Sequence, residues 1–331
     1  MRDALFLAGL ALLSLGCEGT PQKSGEVVVY TSVDQVYSEP VLEEFARKTG
    51  IRVKPAFDVE ASKTTGLVNR LIAEKDNPQC DVFWNGEVAR TLILKKKGIL
   101  APYRSPLAEG IPKHLKDEEG YWTGFAARAR VIAYNTNLLS EQEVPQSILD
   151  LADPKWRGRV AIAYPLFGTT ATHVAALFAH LGDDRAREYL TRLKENRVAV
   201  VDGNSVVRDL VVEGRYPIGL TDTDDVTAAV KAGKPIQMVF PDQGGFGTLL
   251  IPNTVALIRG APHPETGKML IDYLVSEATE QALIRSGAAQ VPVRPEEASQ
   301  TPPIRSMPVS FEAVAEQIEK ATRFCQALFV R

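Results

Sequence analysis

Residues 124–136 read GFAARARVIAYNT, an extended stretch of small, apolar and basic residues. A second extended stretch, LLIPNTVAL, occupies residues 249–257. Strand and helix patterns lie on both sides of the two stretches, so we expect each stretch to cross between two lobes. Paired crossing strands form a hinge, and a hinge predicts closure over a ligand held in the cleft between the lobes.

Strand and helix patterns alternate outward from these two stretches. VVVYTS at residues 27–32 is a continuous β-branched run, and the helical pattern after it ends at Gly50. CDVFWNGE and RGRVAIAYP are further strand patterns that precede helical ones. This alternation predicts an α/β fold with a mostly parallel sheet and helices on both faces.

The crossing stretches also suggest where the chain divides. We expect lobe 1 to comprise residues 26–127 and 254–289, and lobe 2 to comprise residues 128–253 and 290–331. Ligands of open α/β sheets bind outside the carboxyl ends of the strands. The site is therefore expected in the loops that follow VVVYTS, DVFWNGE, AIAYP and IGLTD.

Composition limits the classes of function. The chain has 331 residues, and its 38 basic and 41 acidic side chains give a net charge of -3. Two domains are expected, because this length exceeds the usual size of one hydrophobic core. The balanced charge gives no electrostatic footprint for nucleic acid or for an anionic membrane surface. The sequence has no CxxC, HExxH or GxSxG motif, which disfavours a metal-dependent hydrolase.

The N-terminus, MRDALFLAGLALLSLGC, carries a twelve-residue apolar run that is too short to span a bilayer. It predicts an export signal over residues 1–16. The small residue before Cys17 resembles a bacterial lipobox, so we expect lipidation of Cys17 and a tether over residues 17–25. A secreted chain or an uncleaved anchor is the alternative. The remaining Cys80 and Cys325 either form a disulfide or stay as two separate half-buried thiols.

Several stretches together resemble one protein family. They are VYTSVDQVYSEPVLEEFARKTGI, CDVFWNGE, GFAARARVIAYNT and the GLTDTDD that follows VVEGRYPI. With the export signal, they resemble the extracellular solute-binding proteins of ABC importers, in the ferric-ion-binding branch and its phosphonate- and thiamine-binding cousins. The resemblance covers residues 27–330. It implies a two-lobed type II periplasmic-binding-protein fold, with a hinge of two crossing strands and a ligand cleft between the lobes.

The resemblance also implies a function and partners. The chain would be a monomer that captures iron(III) or another metal with a phosphate- or carbonate-type anion and delivers it to a membrane permease and its ATPase. Neither a catalytic cofactor nor an enzymatic activity is expected. The alternatives are a phosphonate- or phosphate-bearing molecule such as 2-aminoethylphosphonate, then a thiamine-type ligand, then a metal-dependent hydrolase. A sensor that presents its closed form to a receptor kinase would use the same fold.

In the ferric-binding branch that this chain resembles, an anion binds at a helix N-terminus with small hydroxyl residues and beside an arginine of the crossing strand. Gly168, Thr169 and Thr170 of PLFGTTATHVAAL stand where a helical pattern begins, and free backbone N–H groups there attract an anion. Arg128 matches the clamping arginine by position, and its planar fork suits phosphate oxygens. Alternatively, a threonine caps the helix and Arg128 forms an ion pair between the lobes.

The family's metal-binding carboxylate after the third strand falls on Glu87 of FWNGE. Its alternative role is a first-turn glutamate that the helix dipole favours. Ser32 and Asp34 after the first strand are expected to line the cleft, with Tyr30 as a further candidate. Glu87 and Asp222 are the predicted metal ligands.

TDTDDV follows the strand YPIGL, in the loop where ferric-binding relatives carry two adjacent tyrosines. This loop has no tyrosine, and in their place stand Asp222, Thr223, Asp224 and Asp225. Carboxylate and hydroxyl oxygens suit a hard divalent cation or an amine, so the first three of these residues are predicted to contact the ligand. Alternatively, Thr223 is an N-cap and the two carboxylates after it occupy the first turn of a helix.

Overall fold

The computed structural model describes residues 25–58, 65–294 and 304–330. Strands and helices alternate along most of these ranges. The predicted signal peptide at 1–16, Cys17 and nearly all of the tether lie outside the described residues. Within the described part, no helix is both long enough and apolar enough to cross a membrane.

One sheet of ten strands, β1 to β10, forms the centre of the molecule. In chain order the strands are Glu26–Thr31, Arg52–Phe57, Val82–Asn85, Leu100–Ala101, Thr123–Asn135, Val160–Ala163, Ala199–Val201, Ile218–Asp222, Ile236–Val239 and Leu250–Ile258. In one half of the sheet β1 pairs in parallel with β2 and β3, and in the other half β6 pairs in parallel with β7 and β8. The antiparallel strands β5 and β10 lie between these halves and join them.

Ten α-helices, α1 to α10, connect or cover the strands within the described ranges. In chain order they are Gln35–Thr49, Thr65–Ala73, Ala89–Lys96, Gly168–Leu181, Asp183–Glu195, Asn204–Val212, Thr223–Lys231, Pro264–Leu274, Glu277–Ser286 and Phe311–Phe329. Local signals set several of their ends. Gly50 ends α1 in a left-handed conformation and donates to the Ala46 carbonyl at 2.8 Å. The Ser310 side chain caps α10 by accepting from the Ala313 N–H.

Both faces of the sheet are buried. Successive side chains of a strand point to opposite faces, and in β3 Phe83 enters one core while Val82 and Trp84 enter another. Leu71 of α2 belongs to the first core and Phe45 of α1 to the second. The predicted α/β architecture with helices on both faces is therefore present.

The two crossing strands connect the halves through an irregular centre. The first part of β5 pairs with β10, and its last part pairs with β8 and β9. Ala126 of β5 has a φ of 47°, which is uncommon for a residue other than glycine. The β10 register shifts opposite it, between Pro252 and Asn253. The prediction of two crossing strands is confirmed, and both irregularities lie where the strands pass from one half to the other.

The last helix, α10, contacts both halves of the molecule. It packs against α4 and α5, which follow β6, and against α3, which follows β3. The residues that it buries include Val314, Ile318 and Cys325. The assignment of residues 290–331 to lobe 2 stays a prediction, because these contacts reach into both halves.

Cys80 and Cys325 are two separate buried thiols. The Cys80 thiol donates to the Val82 carbonyl at 3.1 Å. Burial raises the pKa of Cys325 to about 12 and raises the pKa of Cys80 as well. Of the two alternatives that the sequence left open, the structure therefore contains the one without a disulfide.

Candidate functional site

Five loops meet at the carboxyl ends of β1, β3, β6, β7 and β8 and form a cavity in the cleft, beside β5. The cavity volume is about 30 Å³, which is enough for ordered water and far below the volume of a typical small-molecule pocket. Six predicted ligand residues line it, namely Ser32, Arg128, Gly168, Thr169, Thr170 and Asp222. The site thus lies at the strand ends where the sequence placed it.

The carboxylate of Asp222 is the centre of a buried network. Its Oδ1 accepts from Arg130 Nη1 at 2.6 Å. Its Oδ2 accepts from Thr169 Oγ1 at 2.6 Å and from Asn204 Nδ2 at 2.9 Å. Both members of the ion pair are almost completely shielded from solvent, with 0% of the Arg130 side chain and 1% of the Asp222 side chain exposed. Three elements, β5, α4 and α6, therefore hold this one carboxylate.

The start of α7 does not account for Asp222. The N-cap residue is Asp222, and its side chain makes no capping hydrogen bond. Thr223, which the alternative placed at the N-cap, is the first helical residue, and its Oγ1 accepts from the Ala129 N–H at 3.2 Å. That assignment of Thr223 is wrong, because its hydroxyl joins α7 to β5. Asp224 and Asp225 do occupy the first turn of the helix.

Arg128 connects the two halves of the sheet. Its Nη1 lies 2.9 Å from Asp224 Oδ2 and 3.6 Å from Asp222 Oδ2, and its Nη2 donates to the Gly86 carbonyl at 2.8 Å. The guanidinium therefore lines the cavity, as predicted for an anion clamp. Its ion-pair partners Asp224 and Asp222 lie with it in the predicted lobe 2, so the ion pair between the lobes that the alternative describes stays a prediction.

The two aspartates next to Arg128 have opposite pKa shifts. Burial alone would raise the pKa of Asp222, but Arg130 and Arg128 outweigh burial and hold it below the usual value. Burial raises the pKa of Asp224, Arg128 only partly offsets this, and the charges of Asp222 and Asp34 raise it further. The site therefore holds an ionised Asp222 beside a carboxylate that protonates more easily.

Asp224 also has an oxygen with spare coordination capacity. Its Oδ1 is buried and has no hydrogen-bond partner among the described residues. Ligand atoms of Asp222, Asp224 and Asp225 all lie within 4.8 Å of one another. A buried oxygen without a partner is costly, and a bound cation would remove that cost. These carboxylates are the groups of the site best placed to hold a metal ion.

Glu87 is not among the residues that line the cavity, and its role as a metal ligand stays a prediction. Its Oε1 accepts from the Arg90 N–H at 3.1 Å, and its Oε2 accepts from Thr172 Oγ1 at 3.0 Å. The carboxylate thus accepts from the first turn of α3 and from α4, but Glu87 precedes the N-cap residue Val88 and is not the first-turn glutamate of the alternative. The residue of this loop that lines the cavity is Gly86.

The loop after β1 contributes through Ser32. Its Oγ donates to Asn85 Oδ1 at 2.6 Å and accepts from the Gly86 N–H at 2.9 Å, so it orders the neighbouring loop. Asp34 is the N-cap residue of α1, and its charge acts on Asp224. Tyr30 is directed elsewhere, because its hydroxyl donates to Glu74 at 3.0 Å.

Arg130 and Asn204 were missed by the sequence analysis. Arg130 lies two residues after Arg128 in an extended strand, and residues at that spacing share a face. Asn204 is the first residue of α6 and follows the carboxyl end of β7. Strand alternation would therefore have indicated Arg130, and the strand-end rule would have indicated Asn204.

Known proteins resemble this chain over most of its length. It is 28% identical over 284 residues to iron uptake protein A1 of a Synechocystis species, and this alignment covers 83% of this chain and 77% of the relative. It is 27% identical over 285 residues to a putative 2-aminoethylphosphonate-binding periplasmic protein of Salmonella typhimurium, which covers 83% of this chain and 81% of the relative. The solved structure of a ferric binding protein from Campylobacter jejuni superposes with a TM-score of 0.83 at 21% identity and covers 92% of this chain and 100% of that one.

The structural likeness confirms the predicted two-lobed periplasmic-binding-protein fold. The relatives named here are binding and uptake proteins, in agreement with the expectation of a ligand-capturing chain. The family described as bacterial extracellular solute-binding protein matches residues 88–309, which is more than half of the chain. The chain belongs to this family of bacterial extracellular solute-binding proteins.

Proposed function

We propose that the chain captures Fe(III), or another hard metal cation, in the cleft and delivers it to the permease and ATPase of an ABC importer. The observation that carries this proposal is the buried Oδ1 of Asp224 in the three-carboxylate cluster, which has no hydrogen-bond partner in the described part of the chain. Hard cations prefer oxygen ligands, and carboxylates supply them with negative charge. The names of the Synechocystis relative and the Campylobacter structure point to the same cargo.

The charges of the site suit a cation at Asp224 rather than at Asp222. Arg130 and Arg128 both lie near Asp222 and balance its charge. Asp224 shares Arg128 and keeps one oxygen without a partner among the described residues. We therefore propose Asp224 as the principal metal ligand of the cluster, with Asp222 next to it.

The sequence also predicts an accompanying anion of the phosphate or carbonate type. Such an anion would belong at the N-terminus of α4, where Gly168, Thr169 and Thr170 line the cavity beside Arg128. This anion stays a prediction from the sequence and is not part of the metal capture proposed here. Export, a lipid on Cys17, a monomeric state and a transport rather than a sensor role complete the proposal.

A phosphonate-bearing amine such as 2-aminoethylphosphonate is the second candidate. Arg128, Ser32 and the N-terminus of α4 line one cavity, and this set of donors suits a phosphonate group. The Salmonella relative carries this ligand in its name. The cavity of about 30 Å³ is far below the roughly 300 Å³ of a typical small-molecule pocket, so this ligand needs an opened cleft.

A thermal-shift titration of protein stripped of bound ligand tests the proposal. The ligands are Fe(III) supplied with citrate, citrate alone, divalent metals, and 2-aminoethylphosphonate. A ligand that binds only the native state raises the unfolding midpoint. We expect Fe(III) to raise it in the native protein and in Asp209→Asn, which removes an exposed carboxylate on α6, but not in Asp224→Asn. A rise with the phosphonate alone would replace metal capture by the second candidate.

A further inference from the structure

The donors around Asp222 are those of an oxyanion site. A guanidinium, a hydroxyl at the N-terminus of α4 and an amide at the N-terminus of α6 all donate to this carboxylate, at 2.6, 2.6 and 2.9 Å. The same guanidinium also donates to Thr170 Oγ1 at 3.3 Å. Arginine forks and helix N-termini are the groups that proteins use to bind phosphates and carboxylates.

Two further observations indicate that this site is built for an anion. Arg130 is completely buried, and its Nε has no hydrogen-bond partner among the described residues. The guanidinium therefore has one N–H donor that no described residue satisfies. Asp222 holds an N-cap position without capping α7, so its carboxylate oxygens accept from Arg130, Thr169 and Asn204 instead. A buried arginine needs a counter-charge, and Asp222 supplies it.

We infer that Asp222 is the resident anion of the cleft, a carboxylate of the chain in the position where an external oxyanion would otherwise bind. A tethered group competes at a high effective concentration, so a free anion displaces it poorly. The consequence, which rests on the proposed metal capture, is that cargo binds without phosphate or carbonate.

Rescue of a truncated side chain tests the inference without any metal. The Asp222→Ala variant lacks the carboxylate, and formate added to this variant supplies a carboxylate of the same size. We expect formate to raise the unfolding midpoint of this variant with an apparent affinity at least about tenfold higher than for the unmodified protein. The matched control is Asp222→Ala combined with Arg130→Met, which removes both charges of the pair and is expected to show no rescue.

A second variant covers the case in which Asp222→Ala does not fold. Asp222→Ser keeps a favourable N-cap residue and leaves room for an anion, so it is expected to respond to formate in the same way. Equal responses of the single variant, the double variant and the unmodified protein would overturn the inference. So would one-to-one binding of inorganic phosphate to the unmodified protein in calorimetry, a measurement that needs no variant.

The effect on cargo is measured separately, as Fe(III) affinity against a competing chelator with and without phosphate. Two ligands that assist each other typically change affinity by about 5- to 150-fold, and we expect less than about fivefold here. A larger gain with phosphate contradicts the inference. Absence of Fe(III) binding in both buffers contradicts the proposed metal capture instead and leaves the formate result standing.

Discussion

Replacement of Arg130 by Met removes the buried guanidinium while nearly preserving its length. The Asp222 carboxylate then stays buried with Thr169 and Asn204 as donors and with Arg128 at 3.6 Å. Loss of one partner of a buried ion pair costs about 3–5 kcal/mol of unfolding free energy. Because Arg128 remains as a partial counter-charge, we expect the lower end of this range, about 3 kcal/mol at pH 7.

The pH dependence of this loss has a defined sign. With Arg130 present, the pKa of Asp222 lies below its usual 3.8, so its stabilisation is present above that value and is lost as the pH falls through the folded-state pKa. In Arg130→Met burial dominates, and the pKa of Asp222 rises above that of the unfolded chain. The destabilisation is then full at neutral pH and shrinks as the pH falls and Asp222 takes up a proton.

Unfolding by guanidinium chloride, followed by tryptophan fluorescence at pH 7 and at about pH 4.5, measures the loss of unfolding free energy and its pH dependence. Arg130→Lys is the matched control, because it keeps the positive charge but loses the planar guanidinium fork. Its loss of unfolding free energy at pH 7 is expected to be smaller than that of Arg130→Met. A loss below about 1 kcal/mol at pH 7, or a loss that grows as the pH falls, would refute the role assigned to the Arg130 and Asp222 pair.

Three further outcomes are expected. Asp224→Asn should lower Fe(III) affinity by at least about tenfold in competition with a chelator. Asp225→Asn should lower Fe(III) affinity less, because Asp225 Oδ2 already accepts a hydrogen bond from Thr221. Equal losses of affinity in the two variants would argue against Asp224 as the principal ligand. Burial lowers the pKa of His173 from 6.5 to about 3, so its contribution to stability is present above pH 6.5 and is lost as the pH falls towards 3. His173→Gln should therefore flatten the slope of unfolding free energy by up to about 1.4 kcal/mol per pH unit in this window, and an unchanged slope contradicts this. The two buried free thiols at positions 80 and 325 should not react with Ellman's reagent until guanidinium unfolds the chain, so fast reaction of the native protein counts against their burial.

The sequence was sufficient for features that local signals determine. The helical pattern in PLFGTTATHVAAL begins where α4 begins, at Gly168. The crossing stretches became β5 and β10, because long apolar segments between helical patterns are typical of buried strands. TDTDDV comprises the last two residues of β8 and the start of α7, at the carboxyl edge of the sheet, where such folds bind ligands.

Features that depend on distant partners were predicted less well. Asn204 matters only because α6 brings it to a carboxylate eighteen residues later in the chain. The Glu87 carboxylate accepts from the N–H of Arg90, and the neighbouring Gly86 lines the cavity instead. Spacing alone does not give the direction of a side chain at a helix start. Arg130 is different, since alternation along β5 was a usable signal for it.

Anomalous X-ray diffraction at the iron edge, from crystals of the protein loaded with Fe(III), tests metal capture most directly. The account predicts one strong anomalous peak in the cleft, within bonding distance of Asp224 Oδ1, and no oxyanion density in place of the Asp222 carboxylate beside Arg130. A cleft without an anomalous peak, or a phosphonate or phosphate held by Arg128 and the N-terminus of α4, would contradict it.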